Sequence, residues 1–147
     1  MKNIVAQTRY EYGVITNRLT AKRVPLLSSS FLYTDFSSMT VNDIYESAPI
    51  DIDDAGVYTL YLYCLASSNG AKASVSVIDT TTNTEIASVG NLDFYIALTT
   101  EPFIAKLNSF TLLDPKKVHL RISVTGRTTG SLGYKITVGD IVFYKEK

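Results

Sequence analysis

The sequence predicts an all-β domain: an antiparallel, jelly-roll-like β-sandwich preceded by an N-terminal arm. Three observations carry that expectation. Residues 118–124 read Val-His-Leu-Arg-Ile-Ser-Val, so Val118, Leu120, Ile122 and Val124 alternate with His119, Arg121 and Ser123. A period of two is that of a strand with one face on a core and one toward water. The same alternation recurs along most of the chain. Turn signals interrupt it at intervals of about ten residues, with few helix signals between them, which is the spacing of sandwiches and barrels.

The elements follow in order. Residues 1–30 are basic, hold one short β-like run from Arg9 to Thr16, and end in Val24-Pro25-Leu26-Leu27-Ser28-Ser29-Ser30. Pro25 and the serines read as a connector. This segment is taken as an arm that either adds a strand to the sandwich or reaches a neighbour, and residues 31–147 are taken as the sandwich. A helix over 3–22 is disfavoured by Thr8, Tyr10, Tyr12, Gly13, Val14, Ile15, Thr16 and Thr20. Strands are expected at Phe31–Phe36, Ile44–Ile52, Val57–Ala66, Ala71–Asp79, Glu85–Val89, Phe94–Leu98, Phe103–Leu113, Lys117–Thr125 and Gly133–Lys145. Between them lie the acidic turn Asp53-Asp54-Ala55-Gly56, the Asn69-Gly70 pair of a β-hairpin, and Thr80-Thr81-Thr82-Asn83. In the last strand Tyr134, Ile136 and Val138 share a face that Ile141 and Phe143 miss by one residue. A β-bulge at Gly139 would bring them back.

A chain of 147 residues that is 46% hydrophobic makes one domain with a full core. There is no apolar run long enough to span a membrane. The N-terminal Met1–Arg9 stretch lacks the apolar centre of a secretory signal, so the chain is expected to stay in the cytoplasm where it is made or to leave by lysis or within a particle. The single Cys64 excludes an internal disulfide and falls where a small buried hydrophobe is expected. The net charge is zero but unevenly spread: residues 1–30 carry +4, residues 31–102 carry −9, and residues 103–147 carry +5. Either the fold interleaves these blocks, or the surface is bipolar and favours head-to-tail assembly.

Several of these strands share a resemblance. Asp54-Ala55-Gly56-Val57-Tyr58-Thr59-Leu60-Tyr61-Leu62 resembles the Gly-x-Tyr-x-Leu strand of carbohydrate-binding modules with the galactose-binding-like jelly-roll fold. Lys116-Lys117-Val118-His119-Leu120-Arg121-Ile122 resembles their Lys-x-His-x-Leu-x-Ile strand, and Ile136–Tyr144 their closing strand. The likeness spans residues 44–145 and is one of strand pattern. It implies a jelly roll, a glycan as a partner, and a structural calcium of the kind such modules often hold. Their sugar platforms commonly use tryptophan, which this chain lacks.

Catalytic material is scarce. One histidine and one cysteine leave little for a nucleophile with a base and an orienting group. There is no nucleophile elbow, phosphate loop or dinucleotide fingerprint. His119 is expected to be a solvated strand residue. A lone His and a lone Cys do not make a zinc site. Asp51, Asp53 and Asp54 fall at a turn, where aspartates commonly cap, and do not match a calcium loop. No cofactor is therefore expected, and a paired-carboxylate glycosidase is disfavoured. The basic residues form no stripe interleaved with aromatics, so nucleic acid is not an expected partner.

The aromatics stand out, with ten tyrosines and six phenylalanines. In Val57–Ala66, Tyr58, Leu60, Leu62 and Cys64 share one face, and Thr59, Tyr61, Tyr63 and Leu65 the other. A strand apolar on both faces is covered twice or presents one face to a partner. Tyr61 and Tyr63 are therefore the candidate interaction face, for sugar or for protein. Alternatively they lie under the arm. Arg9, Arg18, Lys22 and Arg23 are the arm's candidate contacts. The expected function is non-enzymatic: a structural protein of a large assembly, most plausibly a bacteriophage virion component (capsid decoration, head fibre or tail protein). It would be a homo-oligomer among protein subunits and would contact host glycans. The alternative is a carbohydrate-binding module of a glycan-processing system, at the cell surface or outside the cell.

Overall fold

The computed structural model describes residues 2–4, 34–37 and 39–147. Among them run eleven strands: β1 (Lys2–Ile4), β2 (Thr34–Phe36), β3 (Ile44–Ser47), β4 (Ile50–Ile52), β5 (Gly56–Ala66), β6 (Lys72–Asp79), β7 (Thr84–Asp93), β8 (Glu101–Lys106), β9 (Phe110–Leu112), β10 (Lys116–Gly126) and β11 (Ile136–Lys145). They form two sheets. Sheet A has the order β1-β3-β10-β6-β7, with β4 also on β10. Sheet B has the order β2-β11-β5-β8, with β9 also on β5. Every pairing is antiparallel except β1 with β3. The all-β sandwich expected from the alternation is the observed architecture.

The core lies between the sheets and is built from the residues whose period of two predicted it. Tyr58, Leu60, Leu62, Val75, Val77, Val118, Leu120, Ile122 and Val124 are all within one per cent of complete burial. Cys64 joins them, and burial pushes its thiol pKa up. Phe110 packs between Tyr58 and Phe143, with ring centroids 6.0 Å from each. The bulge in β11 is present: Val138 pairs with Cys64 and Ile141 with Leu62, so β11 takes three steps while β5 takes two. The extra residue returns Ile141 and Phe143 to the core, where both are fully buried.

Other local expectations are corrected. Asn69-Gly70 does not close a hairpin, because β5 belongs to sheet B and β6 to sheet A. The turn is instead a crossing between sheets. Gly70 is needed there because a Cβ would lie 1.7 Å from the Phe94 carbonyl oxygen. The stretch expected as one strand at Ile44–Ile52 is split around Pro49, which cannot donate to the ladder. Phe103–Leu113 is likewise split into β8 and β9. Conversely, β7 runs straight through Gly90, whose φ of +133° suits a bulge rather than a turn. The Phe94–Leu98 strand is absent, and those residues form a loop.

Most of the N-terminal segment, with Arg9, Arg18, Lys22 and Arg23, lies outside the described residues. Lys2–Ile4 do add a strand to the sandwich, at the edge of sheet A. The charge blocks interleave: Lys116 meets Asp79, Lys117 meets Asp51, Arg121 meets Glu46, Lys135 meets Asp35, and Lys145 meets Asp54. Each pair joins the basic C-terminal block to the acidic middle block.

Candidate functional site

The two sheets turn different surfaces outward. On sheet B, Tyr61 and Tyr63 project away from the core, as their alternation with Leu60, Leu62 and Cys64 requires. Both are half-buried. Tyr61 stands between Val142 of β11 and Lys106 of β8, and Tyr63 stands opposite Ile104. Val142 is 8% exposed and Ile104 57% exposed, so the β11 side of this face is covered and the β8 side is open. Lower on β5, Thr59 and Ser109 both donate hydrogen bonds of 2.6 Å to Glu146, which hold its carboxyl pKa below the ordinary value.

Sheet A turns polar side chains outward. Alternation places Lys72, Ser74 and Ser76 of β6, Ser88, Asn91 and Asp93 of β7, and His119, Arg121 and Ser123 of β10 on this face. His119 is not solvated. Its outward direction was legible, but Glu46 and Thr80 flank the ring and leave it 7% exposed. His119 Nε2 lies 3.2 Å from Glu46 Oε2, and Nδ1 lies 2.8 Å from Thr80 Oγ1. A carboxylate only accepts, so Nε2 carries the proton, and in the neutral ring Nδ1 accepts from the Thr80 hydroxyl. Arg121 donates to the same Glu46 oxygen at 2.7 Å and, through Nη2, to Asn83 at 2.9 Å. Burial works against ionisation of Glu46, but the bonds and charges of Arg121 and His119 outweigh it and lower the carboxyl pKa.

This hydroxyl–imidazole–carboxylate chain has the order of a hydrolase triad. Several donors around it are bonded to other groups. The Thr81 and Thr82 amides bond Asp79 Oδ1, the Thr80 amide bonds the Lys117 carbonyl, and Arg121 serves Glu46 and Asn83. The geometry is that of a clamp between β3, β10 and the β6–β7 turn.

Near the other end of the face lies a cleft of about 480 Å³, lined by Lys72, Ala73, Asn91, Leu92, Asp93 and Thr125. The volume falls in the range of small-ligand sites. Ala73 and Leu92 border it along the strands, but their side chains turn into the core. Two bonds hold Asp93: the Tyr95 amide donates to Oδ1 at 3.0 Å, and the Thr128 hydroxyl donates to Oδ2 at 2.5 Å. Lys72, Asn91 and Thr125 make no side-chain hydrogen bond or ion pair with other described residues. Sequence reasoning missed the cleft, because its lining residues are separated by up to 53 positions (Lys72 to Thr125) and fit no motif. Of the residues it did single out, Tyr61 and Tyr63 are adjacent, but on the opposite sheet. Asp51 and Asp54 pair with Lys117 and Lys145, and no three His, Cys, Asp or Glu side chains converge as a metal site among the described residues.

No family model and no curated protein matches this chain. Solved structures do. The chain is similar to part of a Paenibacillus xanthan lyase, with a TM-score of 0.67 and 20% identity over 97% of this chain. It spans only 14% of that lyase's length. It is also similar to a carbohydrate-binding module of Cellvibrio mixtus lichenase 5A, solved in complex with cellotriose, with a TM-score of 0.48 and 13% identity over 77% of this chain and 78% of that one. The fold established is a β-sandwich like that found within that lyase.

Proposed function

We propose that the chain is a non-catalytic carbohydrate-binding module of a glycan-processing system, and that it takes its ligand in the sheet A cleft. The observation that carries this is the cleft itself: an ammonium, an amide, a carboxylate and a hydroxyl gathered at one end of sheet A, three of them without a partner among the described residues. Sugars present closely spaced hydroxyls, and a lining of donors and acceptors is what meets them. The fold shared with a stretch of a xanthan lyase supports the same reading. The alternative of a virion structural protein gains no comparable support from the described residues.

The test is retention of the purified chain on a panel of immobilised polysaccharides. Retention on at least one, weakened about tenfold or more by Asn91→Ala combined with Thr125→Ala, is the expected result, since each removes a hydrogen bond made to ligand. No retention on any member would reject the reading. Release of reducing ends that disappears in His119→Ala would reject its non-catalytic part.

A further inference from the structure

We infer that the cleft binds a neutral sugar through adjacent hydroxyls bridged between Lys72 and Asp93. This rests on the glycan-binding reading and names the ligand chemistry of the same cleft. Lys72 and Asp93 are directly opposed across β6 and β7. Opposite charges in that position ordinarily close an ion pair. Here none forms among the described residues, because the Tyr95 amide and the Thr128 hydroxyl draw the Asp93 carboxylate toward the loops. The cleft is left with an ammonium carrying three unused donors and a carboxylate with two of about four acceptor positions still open.

A hydroxyl is the ligand group that can accept from Lys72 and donate to Asp93 at once. A ligand carboxylate would satisfy Lys72 but face the Asp93 charge, and a ligand ammonium would meet the reverse conflict. The two residues are opposed on neighbouring strands, so two adjacent ring hydroxyls can meet one each. Asn91 and Thr125 supply further donors and acceptors beside them. The opposing charges of Lys72 and Asp93 cancel, so binding should depend little on salt.

The test is calorimetric titration of the whole chain with neutral gluco-, galacto- and manno-oligosaccharides, and with an oligogalacturonate of equal length. A neutral oligosaccharide should bind, with less than about a twofold change between ~0.05 and ~0.5 M salt, since no net charge is transferred into the cleft. Lys72→Met and Asp93→Asn should each weaken binding about tenfold or more, the effect of removing a charged hydrogen bond. Lys72 has no side-chain bond among the described residues, so its variant reports on the ligand even if Asp93→Asn loosens the loops. Tighter binding of the oligogalacturonate that fades with salt would overturn this inference and leave the glycan reading standing. So would neutral binding unchanged in Lys72→Met. Failure of every oligosaccharide to bind, together with no retention on the polysaccharide panel, would end both.

Discussion

The outward faces of the two sheets grow from the same core but are finished in opposite ways. Sheet B carries tyrosines, with the rings of Tyr61 and Tyr63 beside Val142 and Ile104. Sheet A carries short polar and charged side chains, tied at one end by Glu46, His119 and Arg121 and left open at the other around Lys72 and Asn91. An outward residue on one sheet therefore differs in role from an outward residue on the other. On sheet B it is covered beside β11 and open beside β8, whereas on sheet A it is either locked into a charge network or left without a partner among the described residues.

The largest expected effect bears on what the faces share. Leu120→Ala removes a fully buried side chain behind sheet A and should cost about 2–5 kcal/mol in denaturant unfolding, lowering both faces together. Next comes the charged end of sheet A. Glu46→Ala strips Arg121 and His119 of their shared acceptor and should cost about 2–3 kcal/mol. A double-mutant cycle with Arg121→Ala should recover part of that loss, and strict additivity would show the cluster to be no unit. On sheet B, Tyr61→Ala with Tyr63→Ala should cost about 1–2 kcal/mol through lost packing. If the melting temperature is unchanged while self-association weakens, that face is an interface rather than packing.

Acid should separate the faces further. The folded Glu46 carboxyl sits below its ordinary value of 4.5, so the unfolded chain binds the proton more readily. Its contribution is whole above pH 4.5 and is lost as pH falls through the lowered folded value. Glu46→Gln should accordingly flatten the stability decline on the acid side of 4.5, as followed by circular dichroism. An unchanged acid limb would mean that other carboxylates, such as Asp79 or Glu146, set it. The smallest effect is expected at Lys117, whose ion pair with Asp51 is long and exposed at 3.9 Å. Lys117→Ala should change stability by less than about 0.5 kcal/mol.

Strand identity and the facing of core residues were legible in the sequence by itself, because side-chain direction along a strand is a local property with a period of two. Leu120, Ile122 and Tyr58 declared themselves that way. So did the Gly139 bulge, since only an extra residue restores the parity of Ile141 and Phe143. Which strands share a sheet was not legible. Asn69-Gly70 looks like a hairpin from its own residues, and only the tertiary structure sends β5 and β6 to opposite sheets. Period likewise shows that His119 points outward, but not that Glu46, 73 positions away, waits there to enclose it. The cleft follows the same logic: Lys72, Asn91, Asp93 and Thr125 become neighbours only through the register of β6 with β7 and β10, and register is decided by the packing of the whole sandwich.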